Sequence, residues 1–137
     1  MNARALTIAG LVLIATPAAA GACLKYEPSL VHLRGQIVER SAYGPPGYGE
    51  DPAHDSREHF LVLKLDSPIC VDGTPDNELD SESEAGVPEL MMVPPQGQPI
   101  PRGRAIVSGT LFHAITAHHR TRVLIAVTDA QSLNAKK

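Results

Sequence analysis

Four of the chain's six histidines fall in two short stretches. Residues 43–58 read YGPPGYGEDPAHDSRE and carry Tyr43, Tyr48, Glu50, Asp51, His54, Asp55 and Glu58. Residues 113–120 read HAITAHHR and carry His113, His118 and His119. Imidazole and carboxylate suit zinc, copper or nickel. A candidate metal set is therefore His113, one of His118 or His119, and His54 or Asp55; nothing else in the chain points to a cofactor. The spacing counts against a simple chelate. Adjacent strand residues point to opposite faces, so His118 and His119 join His113 together only if the loop twists. No His-Glu-x-x-His or Cys-x-x-Cys pattern occurs. The plainer alternative is solvated polar side chains, or histidines bonded to backbone carbonyls.

Catalysis has less to build on. His54-Asp55-Ser56 has the residue types of a hydrolytic triad, but a working relay is assembled in three dimensions and three adjacent residues cannot form it. Glu50 with Asp51, or Asp55 with Glu58, could be paired carboxylates for acid/base work. Beside Gly/Pro turns, such groups more commonly cap turns. A small hydrolase is thus the third reading, and the expectation is a non-enzyme. Residues 72–89 hold seven of the fifteen acids, but without the Asp-x-Asp-x-Asp-Gly ladder of a calcium loop. A solvated, mobile acidic loop is expected there. Arg102, Arg104, Arg120 and Arg122 could form a basic patch, or simply alternate on an exposed strand face.

The elements that position these residues read as strands. Val31, Leu33, Gly35 and Ile37 alternate with His32, Arg34 and Gln36, giving a first strand with one inward face. Phe60–Leu65 is a second, closed by Pro68 and the Asp72-Gly73 step. Leu90–Val93 is a third, stopped by Pro94 and Pro95. Ala105–Phe112 and Arg122–Thr128 are the fourth and fifth, and a loose tail follows from Gln131 to residue 137. Gly35 and Gly109 lie inside strands, where glycine marks a bulge or bend. Small barrels need such bends to curl the sheet. The expected fold is all-β, a five-stranded OB-like barrel over residues 23–130, with a small open β-sandwich as the alternative. Residues 94–104 are too short and Pro-rich for the helix that an OB barrel often carries there. In such a barrel the loops after the first and fourth strands flank the ligand face. Those are the two stretches described above. The candidate ligand-binding residues are therefore Tyr43, Tyr48, Asp51, His54, Asp55, His113 and His118.

The compartment is legible at the N-terminus. Arg4, an apolar run from Leu6 to Ala15 and Ala-x-Ala sites ending at Ala20 or Ala22 have the form of a secretory signal peptide, residues 1–22. The run is shorter than the roughly 20 residues a bilayer span needs, and no transmembrane span is expected after cleavage. Cys23 and Cys70 then remain, an even count in an oxidising compartment, and a disulfide is expected. The alternative makes Cys23 a lipid-bearing first residue, although Ala20-Gly21-Ala22 lacks the bulky aliphatic usual at such sites. The chain has no Trp, two Phe, three Tyr and a net charge of −3. That combination disfavours nucleic acid and anionic lipid as partners.

Three runs carry a resemblance: CLKYEPS at 23–29, YGPPGYGEDPAHD at 43–55 with LKLDSPICV at 63–71, and GTLFHAITAHHRTRVLI at 109–125. They resemble a bacterial family of small exported domains of unknown function, with motifs of the form YGPPxYGEDPxHD and GTLFHAxTxHHxTxVL. The resemblance implies a secreted, periplasmic or lipoprotein-like single domain, sometimes joined to envelope modules that resemble lysozyme inhibitors. It carries over no catalytic residue. The family pattern often has a further His near Ile115 and a Gly near Ala117, and this chain departs there. The resulting expectation is an exported, non-catalytic binding module. It would hold an envelope protein, a glycan or a small ligand between loops 43–58 and 113–120. A periplasmic metal-binding protein using the loop histidines is the alternative.

Overall fold

The computed structural model describes residues 21–134. The expected leader lies, up to residue 20, outside the described residues, as do residues 135–137 of the expected tail. Six strands form: β1 Leu24–Lys25, β2 Leu30–Tyr43, β3 Arg57–Asp72, β4 Glu84–Val93, β5 Gly103–His113 and β6 Val123–Ser132. One 3-10 turn, η1, spans Glu78–Asp80. The Pro-rich 94–102 connector carries no helix.

Hydrogen bonding runs in the order β3-β2-β5-β6-β4, and β4 pairs again with β3, so the sheet returns on itself. This is the all-β, OB-like ring expected from the sequence. Only β4–β6 is parallel within the ring. The β3–β4 seam slips register twice, after Lys64 and after Ile69, which leaves the barrel partly open. The short β1 adds in parallel to β3, with Leu24 opposite Val71.

Every long strand extends beyond its expected bounds. The second strand does not stop at Pro68 but continues to Asp72. Proline lacks an N–H, and Pro68 sits in the seam where the β3–β4 ladder is already broken, so no ladder bond is lost. The third strand starts at Glu84, not Leu90, which shortens the acidic loop at its C-terminal end. The tail is not loose from Gln131: Gln131 and Ser132 pair with Ile106 and Ala105.

Alternation in β2 turns Val31, Leu33 and Ile37 inward, and they meet Leu63, Leu90, Val107, Leu111 and Ile125 in the core. Gly35 and Gly109 allow this closure. A Cβ at either would stand 2.1 Å from a carbonyl oxygen, that of Lys64 or of Ala126. Gly109 also lies at a register shift in the β5–β6 ladder.

A second apolar layer lies on the outside of the ring. Val38, Val62, Met91, Leu124 and Phe112 are successive cross-strand partners over β2, β3, β4, β6 and β5. Their neighbours in sequence, such as Leu63, Leu90 and Ile125, belong to the inner core. Val62 and Leu124 are nevertheless fully buried, a gain of roughly 1.5–3 kcal/mol for each such side chain. The chain after His113 returns across this row. Arg120 N–H donates to Met91 Sδ at 3.3 Å, and Met91 N–H donates to Thr121 Oγ1 at 2.8 Å.

Candidate functional site

Loop 44–56 is shaped by one carboxylate. Asp55 accepts from the backbone N–H groups of Gly47 (2.6 Å), Gly49 (2.6 Å) and Asp51 (3.3 Å). Partial desolvation opposes the charge of Asp55, but these three donors outweigh it and hold its carboxyl below the usual aspartate value. Glycine at position 47 leaves room for this carboxylate, since a Cβ there would lie 2.8 Å from Asp55 Oδ1 and push it from its donors. Tyr48 takes the left-handed conformation, with φ of 51°. Such a strained non-glycine residue is held by its surroundings, and Tyr48 has them: its hydroxyl lies 3.1 Å from His118 Nε2 and its ring 5.5 Å from the Arg120 guanidinium.

The two loops therefore meet, and they meet through a clasp. Glu58 Oε1 lies 2.5 Å from His118 Nδ1, and Glu58 Oε2 accepts from Arg120 Nη2 at 2.5 Å. Arg120 Nη2 also donates to the Tyr43 carbonyl at 2.7 Å. The Arg120 bond, with help from His118, holds the Glu58 carboxyl below the ordinary glutamate value. Asp55 and Glu58 are thus fully engaged, and neither pairs with the other. His54 bonds Asp51 at 2.7 Å on the exposed side of the loop, so His54-Asp55-Ser56 forms no relay.

The four histidines of the candidate metal set do not converge. His118 belongs to the clasp and His54 to Asp51. His119 folds back, accepting from Ile115 N–H at 3.0 Å, with its ring set edge-on to Phe112 and the ring centres 5.6 Å apart. Burial, aided by the charge of His118, pushes the His119 imidazole below its ordinary value. His113 lies at one end of the barrel. Its Nε2 stands 2.9 Å from Glu84 Oε1, its backbone N–H donates to Asp80 Oδ1 at 2.8 Å, and its ring packs edge-on to Tyr26 at 6.4 Å. The Glu84 hydrogen bond raises His113 against an opposing desolvation. Desolvation, then the charges of Glu84, Asp80 and Glu82, push the Tyr26 hydroxyl up to about 12.

Asp80 and Glu84 were not legible as site residues. The density of acids in residues 72–89 pointed to a mobile loop, yet both are buried. Glu84 is paired with His113 and, at 3.1 Å, with Arg122. Asp80 accepts from His113 N–H and from Asn77 Nδ2. Donor atoms of Glu82, Glu84 and His113 lie within 4.8 Å of one another. The four arginines form no common patch: Arg102 pairs with Glu39, Arg104 with Asp66, Arg120 with Glu58 and Arg122 with Glu84.

Beside loop 113–120 opens a cleft of about 310 Å³. Its apolar walls are Leu79, Val93, Phe112, Ile115 and Ala126; Asp80, His113 and Glu27 complete it. Leu79, Ile115 and Val93 are 60%, 54% and 39% exposed, large apolar side chains gathered at one opening. No sequence signal marked this group, because its members come from five separate segments.

Cys23 and Cys70 form a disulfide, with Cα atoms 4.8 Å apart. A bridged Cys23 has no thiol to carry a lipid. No helix of the described residues is long and apolar enough to cross a membrane.

The model of a family described as a domain of unknown function, DUF4431, matches residues 95–131. The matched segment contains β5, loop 113–120 and most of β6. No curated protein and no solved structure matches the chain.

Proposed function

We propose that this is an exported, non-catalytic binding module, with loop 113–120 as its working element. The supporting observation is the gathering of Leu79, Val93 and Ile115, exposed, round one cleft beside that loop. Exposed apolar residues scattered singly need no explanation; a contiguous group marks a binding surface. Loop 43–58 serves as the brace. Its Glu58, Tyr48 and Tyr43 hold His118 and Arg120 from one side and leave Phe112 and Ile115 facing the cleft on the other. A loop fixed before binding loses less entropy when it binds. The disulfide fits an oxidising compartment outside the cytoplasm. The test is native mass spectrometry of the domain after incubation with an extract of the bacterial envelope. A retained adduct, protein, glycan or small molecule, is expected on the wild type and not on Ile115→Asp. Equal retention by both would count against the reading.

Metal binding is the second reading, now carried by Glu82, Glu84 and His113, whose donor atoms cluster. Both Glu84 oxygens already have partners in His113 and Arg122, and the first reading is preferred for that reason. Untagged protein with less than about a tenth of a metal equivalent, and no melting shift with zinc or copper, would remove it.

A further inference from the structure

We infer that the cleft beside Ile115 selects a small organic cation, an apolar body carrying an ammonium or guanidinium head. The inference rests on the binding-module reading above and names the ligand class for its site.

The argument is one of charge left over. Three ionisable groups belong to the polar end of the cleft: Asp80, His113 and Glu27. His113 faces Glu84, Arg122 reaches the other Glu84 oxygen, and Glu82 lies beside them, so two bases there answer two carboxylates. Asp80 has no such answer. It is 2% exposed, and its two oxygens accept only from neutral donors, the His113 backbone N–H and Asn77 Nδ2. Among the described residues no Lys or Arg forms an ion pair with Asp80 or with Glu27. A buried carboxylate without a cation keeps a strong field in the adjoining space, because little water screens it. That space is the cleft.

The walls decide which cation. A hydrated metal ion gains nothing from Leu79, Val93 and Ile115, and Asp80 has spent its oxygens on donors of its own. An anion would meet two carboxylates. A neutral apolar ligand would fill the cleft but leave both charges uncompensated. An amphiphilic cation satisfies both parts: its body covers the apolar walls while its head lies toward Glu27, which is exposed and free to bond it. The volume, about 310 Å³, lies at the lower end of small-ligand sites and suits a compact ligand.

The test is an NMR titration of the folded, oxidised domain with n-octylammonium and, separately, octanoate, which share an alkyl body and differ in head charge. Saturable shifts at Leu79, Phe112 and Ile115 are expected with octylammonium, at an affinity about tenfold or more above that for octanoate. Glu27→Gln should narrow that ratio without unfolding the domain, since the Glu27 side chain is exposed and makes no hydrogen bond among the described residues. Ile115→Ser should weaken both ligands. Equal affinities for the two heads, shifts that map elsewhere, or no shift with either probe at millimolar concentration would overturn the inference. An envelope adduct that depends on Ile115 while octylammonium fails to bind would overturn the ligand class and leave the binding module standing. Loss of the adduct as well would remove both.

Discussion

His113 shows how one side chain is tied to pH. The Glu84 hydrogen bond lifts its folded-state value above the ordinary 6.5, so the protonated form is the one that folding favours. Its stabilising contribution is complete below the unfolded value and is lost as pH rises through the raised one. His113→Gln should therefore destabilise the domain by roughly 1–3 kcal/mol in mildly acidic buffer, with a smaller deficit at alkaline pH, as read from urea midpoints. A deficit that stays constant across that range would deny the charged pair. Glu58 runs in the other direction. Its carboxyl is held low by Arg120 and His118, so its hold on loop 113–120 is present at neutral pH and lost as pH falls through that lowered value. Glu58→Gln should speed amide exchange in residues 114–120 at neutral pH, and the wild type should approach the variant on acidification. Unchanged exchange would mean the clasp does not hold the loop. The sequence singled out Tyr48, His118 and Asp55, and each takes part in organising the two loops. It could not assign their roles: Asp55 binds backbone donors of its own loop, and His118 is spent on Glu58. Residue type limits what a group can do, but only the fold decides what stands opposite it.

At the scale of elements, the strands followed from alternation, and the bends from two glycines. Gly35 and Gly109 stood out because each interrupts a run of good strand formers, and each proves to lie against a carbonyl of the adjacent strand. Gly109→Ala should cost about 3 kcal/mol or more, since the obstruction is backbone and cannot rotate away. Gly86→Ala, with φ of +61° and open space around it, should cost only about 1 kcal/mol from the left-handed backbone. Thermal or urea unfolding checks both, and equal costs would mean that the close approach in β5–β6 is not tight. Strand ends were less legible for a definite reason. Pro68 looks like a terminator, but the β3–β4 seam is irregular and tolerates a residue that a continuous ladder would reject. Glu84 looked like one more solvated acid until β4 was seen to begin there and turn it inward beside His113.

At the scale of the whole molecule, the barrel's register slips twice in the β3–β4 seam and once in β5–β6, and the disulfide ties the segment before β1 to the far end of β3. Cys23 and Cys70 are 47 residues apart, and on the chain-entropy account the bridge contributes about 4 kcal/mol. Replacing both by serine should lower stability by that order, and a thiol assay on folded, exported protein should find no free thiol. Two free thiols would exclude the bridge. The fold class and the meeting of the two loops were readable in advance, because strand order in a small β-ring fixes which loops share a rim. The cleft was not, since Leu79, Val93, Phe112, Ile115 and Ala126 are drawn together only by closure of the ring and by η1. The most direct measurement is hydrogen exchange followed by mass spectrometry, with and without envelope extract. Protection is expected in peptides covering residues 77–80 and 112–117, with loop 44–56 unchanged. Protection confined to loop 44–56, or no protection anywhere, would contradict the assignment of the working surface.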